Sequence, residues 1–219
     1  MAPPNSQLKH HAPAAPRTYN SPSRVAAAAQ TRERLVVAAG ELLASAEGLR
    51  GFSLEAVAKR AGVGRLTVYN QFGSRRALLE AVLDDVAVRG GLQRLAQAMA
   101  EANPHLGLSL LVAVFCEFFA GAGPVMAHVI AAGASDSELK QSLRERNERR
   151  RHALQVLVGR MISQGDLRAD AADDLVDMLW ALTGAPFLMD LTLGGRSPQD
   201  ACALVQAAAA DAVVRAARQ

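Results

Sequence analysis

Apolar residues recur along this chain at three- and four-residue intervals, and no alternating run between hairpin turns interrupts them. The pattern predicts an all-α protein. A first amphipathic helix is expected over Thr31–Glu47, burying Leu35, Ala39, Leu42, Leu43 and Ala46. A second opens at Leu54, with Leu54, Val57, Ala58 and Ala61 on one face. Ser53 is placed to cap it, and Glu55 lies in the first turn, where the helix dipole favours an acid. Gly62 stops that helix, because glycine enters the left-handed conformation without steric cost. Gly64 then stands at the N-cap of a third helix, Arg65–Phe72, whose inner face is Val68 and Phe72.

Two short helices around a Gly-Val-Gly elbow, the second polar, basic and aromatic, form the pattern of a helix-turn-helix with its recognition helix. On that helix Arg65 suits guanine, Asn70 and Gln71 suit adenine, and the Thr67 methyl suits thymine. Tyr69 has a hydroxyl fit for a phosphate oxygen. The competing reading is a short structural helix whose polar face meets only water.

The run LEAVAKRAGVGRLTVYNQFGSRRALLEAV, with Thr31-Arg32-Glu33-Arg34 and Gly51-Phe52-Ser53 ahead of it, resembles the signature of the tetracycline-repressor (TetR) family. The resemblance covers Thr31 to Val82. It implies a three-helix DNA-binding head with a helix-turn-helix and a C-terminal helical bundle for dimerisation and ligand binding. It also implies DNA contacts at Ser53, Arg65, Thr67, Tyr69 and Arg75, and with Leu66, Asn70 and Gln71 of the same helix these make up the expected DNA-binding residues. Two positions depart from the family pattern. Gly64 replaces a frequent Ser, which costs only a few tenths of a kcal/mol in capping. Gln71 replaces a frequent His or Tyr, which puts a phosphate contact there in question.

Beyond the elbow, Ser74 caps a helix carrying Leu78, Leu79, Val82, Leu83 and Val86 towards Met99. Arg75 and Arg76 open it, at the end where cations are disfavoured, and a phosphate would compensate them. After Asn103-Pro104 an apolar helix runs from Leu106 to Ala120. Gly121–Pro124 is expected to break it before a short helix with Met126, His128, Val129 and Ile130. A long helix follows over Ser137–Ser163, its charged middle, Arg144 to Arg151, expected in solvent with Glu145–Arg149 and Glu148–His152 paired along it. Of two final helices, one around Leu175–Leu182 is almost wholly apolar. The other, Pro198–Ala217, carries Ala201, Leu204, Val205, Ala208, Ala212 and Val213. Their faces suit either a two-fold dimer or packing within one subunit. Asp173, Asp174 and Asp177 fit the dipole of a helix start better than a metal.

Phe115, Phe118, Phe119, Met126, His128, Met161, Trp180, Thr183 and Phe187 form the candidate ligand site, since organic ligands favour apolar pockets with a few polar groups. Plain core is the alternative for each large apolar member. The sequence contains no nucleophile elbow, phosphate-binding glycine loop or histidine-rich metal motif, so neither an enzyme nor a bound cofactor or metal is expected.

Charge sharpens the picture. Residues 1–30 carry Lys9, Arg17 and Arg24 and no acid, and residues 31–80 carry eight basic against five acidic residues, within a net charge of +3. The front of the chain is therefore the part suited to a polyanion. Residues 1–23, rich in Pro, Ala, Ser and His, are expected to be a disordered arm. Arg17 and Tyr19 there, with Arg24 just beyond, suit a minor groove, a solvated leader being the favoured alternative, and His10-His11 is too short for a metal site. Cys116 and Cys202 are expected as free thiols in a reducing cytoplasm. Neither a signal peptide nor an apolar run suited to a membrane is expected. The chain thus divides into an arm (1–23), a DNA-binding domain (24–76) and a ligand-binding and dimerisation domain (77–219). The expected function is a cytoplasmic, homodimeric, ligand-responsive repressor. It would bind double-stranded operator DNA at an inverted repeat and be released by a small apolar effector. The alternative is a helical adaptor or small-molecule-binding protein that does not touch DNA.

Overall fold

Proline at the first helical position and a run of alanines start the first helix well before Thr31. In the computed structural model, which describes residues 22–45 and 47–218, α1 spans Pro22–Ala44. Proline lacks only an N–H that a helix start leaves unpaired anyway, and alanine has the highest helix propensity. The expected arm otherwise lies outside the described residues, with Lys9, His10, His11, Arg17 and Tyr19.

Two short helices, α2 (Leu54–Ala61) and α3 (Arg65–Phe72), and a longer one, α4 (Arg75–Arg89), follow. They close a first core with α1, in which Leu35, Ala39, Leu43, Val57, Val68, Phe72, Leu78 and Leu79 are buried. The helix expected to reach Met99 instead ends at Gly90-Gly91. Gly91 takes φ +82°, a short 3₁₀ turn covers Leu92–Arg94, and α5 spans Leu95–Ala100. At the break the left-handed Gly91 turns the chain out of the helix, and Gly90 lies so close to the Phe118 ring that a Cβ there would overlap it.

The body is built on α6 (Pro104–Gly133) and α7 (Ser137–Ser163). The expected interruption at Gly121–Pro124 does not occur, and α6 is helical throughout. Proline in a helix interior costs about 3 kcal/mol. Burial of Phe115, Phe118, Met126 and Val129 on either side offsets that loss. Three further helices complete the body: α8 (Ala172–Leu182), α9 (Ala185–Leu193) and α10 (Pro198–Arg218). α9 was not foreseen from the pattern. The described residues thus hold ten α-helices and no strand.

Contrary to the sequence reading, Pro104–Ala122 is long and apolar enough to cross a membrane. In this fold it is the central helix of the body, packed by α5, α7, α9 and α10. Leu111, Val112, Phe115 and Cys116 lie in the main core with Leu154, Leu157, Met161, Leu179 and Val205. A smaller cluster of Leu83, Phe118, Met126, Val129, Leu139 and Ala185 joins α4 to α6, α7 and α9. α4 therefore contributes to the cores of both head and body.

Candidate nucleic-acid interface

The elbow between α2 and α3 is fixed by its backbone. Ser53 caps α2 by accepting the Ala56 N–H at 3.0 Å. Gly62 ends α2 at φ +66°, and Val63 N–H then donates back to the Ala58 carbonyl at 3.0 Å. Gly64 opens α3 with no side-chain cap. Val57, Ala58, Val68 and Phe72 are buried between the two helices. Two arginines of α1 hold α3 and α2 from behind. Arg32 lies 4.3 Å over the Phe72 ring and donates to the Gln71 carbonyl, and Arg34 donates to the Ala61 carbonyl at 2.7 Å.

This anchoring turns one face of α3 outward. Arg65 and Asn70 are exposed, Leu66 is 70% exposed and Tyr69 is 57% exposed, while Thr67 and Gln71 are half-buried. Arg65, Tyr69 and Asn70 make no side-chain hydrogen bond or ion pair among the described residues. An unengaged cation, an amide, a phenol and an exposed leucine on one face of a helix are groups that base edges and phosphates use.

The Ser53 hydroxyl accepts the Ala56 N–H as the expected cap and retains its own O–H to donate. One expected contact is placed differently. Arg75 is not free for a phosphate. Its guanidinium pairs with Asp136 at 2.7 Å and Glu138 at 2.9 Å and lies 5.4 Å from the Phe52 ring. The cation at the start of α4 is thus compensated from within, by the acidic turn that opens α7. Burial works against the Asp136 charge, but Arg75 and the Leu139 N–H outweigh it and hold the carboxyl below its ordinary value.

Arg75 is one of several ion pairs between α4 and α7. Arg76 pairs with Glu145 at 3.0 Å, and Arg146 pairs with Glu80 and Asp84, each at 2.8 Å. Ser142 also donates to Glu80. The charged middle of α7 is therefore not uniformly solvated. Arg144, Glu148 and Arg149 face water, Arg146 turns towards α4, and Arg150 is only 6% exposed. Glu145 is held by Arg76 and Gln141 rather than by Arg149. The signal lay in the periodicity. Leu139, Leu143, Arg146, Arg150, Leu154, Leu157 and Met161 are one continuous inward stripe.

The nine residues expected to bind a ligand do not form one open cavity. Phe115 and Met161 are buried in the main core, with Phe119 and Trp180 packed against it. Phe118 and Met126 lie in the smaller cluster at α4, which Phe119 also touches. Thr183 is fully buried, whereas His128 and Phe187 are exposed. Two surface hollows lie elsewhere. One of about 220 Å³ lies between α6 and α10 beside His105 and Val213, and the other beside Arg34 and Arg60 of the head. Cys116 is buried and Cys202 half-buried, both as free thiols. Burial, with Cys202 beside it, pushes the Cys116 thiol up to about 12.

Arg150 has the most unusual surroundings in the body. It donates to Thr183 Oγ1 at 3.1 Å and Asn147 Oδ1 at 3.3 Å, and its Nε has no partner. Its guanidinium lies 5.3 Å from the Trp180 ring and 5.7 Å from the Phe115 ring. No carboxylate among the described residues pairs with it. Burial lowers it to about 10, so it stays protonated at neutral pH.

Comparison with known proteins bears on both halves. A family model described as bacterial regulatory proteins of the tetR family matches residues 36–82. A second, described as a tetracyclin repressor-like C-terminal domain, matches residues 106–217. No curated protein matches the chain by sequence. Among solved structures, a TetR transcription regulator from Haloarcula marismortui is similar with a TM-score of 0.65 at 14% identity, over 86% of this chain and 98% of its own. The regulator FadR from Bacillus subtilis, in complex with stearoyl-CoA, gives 0.62 at 18% identity over 83% and 97%. A transcriptional regulator from Saccharomonospora viridis, in complex with choline, gives 0.60 at 18% over 81% and 94%. At these identities the likeness concerns the fold, and the two family models carry the assignment. With a matching head and a matching body in one chain, the protein belongs to the tetR family of DNA-binding bacterial transcriptional regulators.

Proposed function

We propose that this regulator is a homodimeric repressor that binds an inverted-repeat operator and leaves it when a small molecule occupies the body. The observation that carries the reading is the outward face of α3. Arg65, Leu66, Tyr69 and Asn70 stand unengaged on a helix whose opposite face is locked into the head. Thr67 and Gln71 flank them, and Ser53 approaches the backbone through the turn it caps. Arg75 acts in this scheme as a hinge pin between head and body rather than as a DNA contact.

The division proposed is a head up to the start of α4 and a body from there on, with α4 as the lever. Its link to α7 through Arg75, Arg76 and Arg146 supports that role. A ligand that prefers one position of α7 biases the position of α4, and so the spacing of two heads. It does so only by its difference in affinity between the two states. The dimer surface proposed is the outer side of α8 and α10, where Met178, Leu204 and Val214 remain exposed. The ligands of the structural neighbours, stearoyl-CoA in one and choline in another, support a small-molecule role for the body.

The test is selection of bound duplexes from a random pool by the full chain, followed by gel shift and light scattering. The expected result is an inverted repeat bound by a particle of twice the chain mass. A monomer, or a chain that enriches no duplex, overturns the proposal.

A further inference from the structure

We propose that Arg150 is the anion-recognition point of the effector site, and that the effector is a small organic acid presenting one carboxylate on an apolar body. The inference deepens the reading of the chain as a ligand-responsive regulator and rests on it. Two independent features converge at one place. The first is the buried guanidinium itself, charged, facing no acid, with Nε unpartnered. The second is the start of α9. Gly184 is its N-cap, no side chain caps it, and no acid lies in its first turn. The Ala185 and Phe187 N–H groups there have no intrahelical acceptor, and Pro186 has no N–H at all.

The proximity is direct. A Cβ built on Gly184 would stand 3.4 and 3.5 Å from the two terminal guanidinium nitrogens of Arg150. The positive end of a helix and an arginine therefore meet in the protein interior. Each disfavours the other in the empty protein, since cations are destabilised at a helix N-terminus. A bound anion reverses the sign of that interaction. One carboxylate can take a forked pair of bonds from the guanidinium and lie within the field of the helix start. Phe115 and Trp180 flank the guanidinium and suit the apolar remainder of an acid. Trp180, half-buried, and Asn147, exposed, are the parts of this shell that reach solvent.

The site also lies on the path to the head. Arg146, one helical turn before Arg150 on the same face of α7, is the residue that grips Glu80 and Asp84 of α4. An anion that draws Arg150 towards α9 pulls on the helix that holds the lever.

A purely structural arginine predicts something different. Replacing even a buried ion pair by apolar groups of similar volume is often neutral or stabilising, and a buried charge without a carboxylate has less Coulombic attraction to lose. Arg150→Met is thus expected to keep or raise the melting temperature while losing the response to acids. The experiment measures melting temperature and calorimetric binding of the full-length protein with straight-chain carboxylates from acetate to dodecanoate, benzoate and phenylacetate, and the amide of each. The expected result is stabilisation by at least one acid and not by its amide, weakened tenfold or more in Arg150→Met. Arg150→Lys, which keeps the charge without the fork, is expected to be intermediate. The proposal is overturned if no acid binds the wild type, or if Arg150→Met binds the acids as well as the wild type does. Should Arg150→Met fail to fold, Arg150→Lys decides by the same comparison. Operator binding is measured separately on the same proteins. Its absence would count against the regulator reading, whereas acid binding without the Arg150 dependence would count against this site alone.

Discussion

Arg65→Ala separates folding from DNA binding more cleanly than any other single change. Arg65 is exposed on α3 and makes no ion pair among the described residues. Its removal should therefore leave unfolding free energy within about 0.5 kcal/mol of wild type. The effect on DNA depends on which group it meets. As a phosphate contact it releases a counterion, and a dimer carries two copies, so the slope of log affinity against log salt falls by about 1.8. The advantage of the wild type then shrinks about twelvefold between roughly 50 and 200 mM salt. As a guanine contact it costs about 1–3 kcal/mol per half-site and relaxes specificity at one base pair, with little change in salt dependence. Fluorescence anisotropy on the selected operator at several salt concentrations, with chemical denaturation as the folding control, distinguishes the two. Unchanged affinity and unchanged slope in a folded variant would refute the outward-facing role of α3.

Three further outcomes are expected. Glu80→Gln and Arg146→Met, singly and together, should show a coupling energy of about 0.5–1.5 kcal/mol in a double-mutant cycle of thermal or denaturant unfolding, because both groups are half-buried. Additive effects would show that the pair does not join α4 to α7. Gly90→Ala should destabilise by about 1–3 kcal/mol, since its Cβ would meet the Phe118 ring. At roughly 2–4 °C per kcal/mol for a chain of this size, calorimetry resolves the change. The pH dependence follows from Asp136, whose pKa lies lower in the folded state than in the unfolded one. Its contribution is present above the ordinary carboxylate value of about 3.9 and is lost as pH falls through the folded value. Asp136→Asn should therefore flatten the acid limb of the stability curve in that range and lower stability at neutral pH. An unaltered acid limb would remove Asp136 from the junction.

The head was legible because its signals are local. Ser53, Gly62 and Gly64 each specify a backbone state within a few residues, and Val57, Val68 and Phe72 fix the buried faces by spacing alone. The body was less legible because its elements are decided by burial at a distance. Gly121–Pro124 carries every local sign of a break, yet the apolar side chains on both sides keep α6 whole. Gly91 ends α4 by a local left-handed turn, but the close approach of Gly90 to Phe118, nearly thirty residues away in sequence, has no local sign. α9 announced itself only by a proline in its first turn behind Gly184. Of the aromatic residues expected to bind a ligand, Phe115 and Phe118 are buried and Phe119 and Trp180 partly so, but composition could not tell a lining from a core. Nor could it show His128 and Phe187 turning outward.

The arginines carry the lesson furthest. A sequence shows where arginines fall on a helix but not which of them finds a carboxylate, and in this fold that distinction sorts their roles. Arg75 and Arg76 begin α4 and look like phosphate ligands, yet Asp136, Glu138 and Glu145 reach them first and make them part of the junction. Arg146 finds Glu80 and Asp84 and becomes the grip of α7 on the lever. Arg65 finds no acid and stays in water, where charge is cheap, so it can wait for a polyanion without cost to the fold. Arg150 also finds no acid, but it does so in the interior, where an uncompensated charge is expensive. Its place against the open end of α9 is best accounted for by an anion that arrives from outside and leaves again.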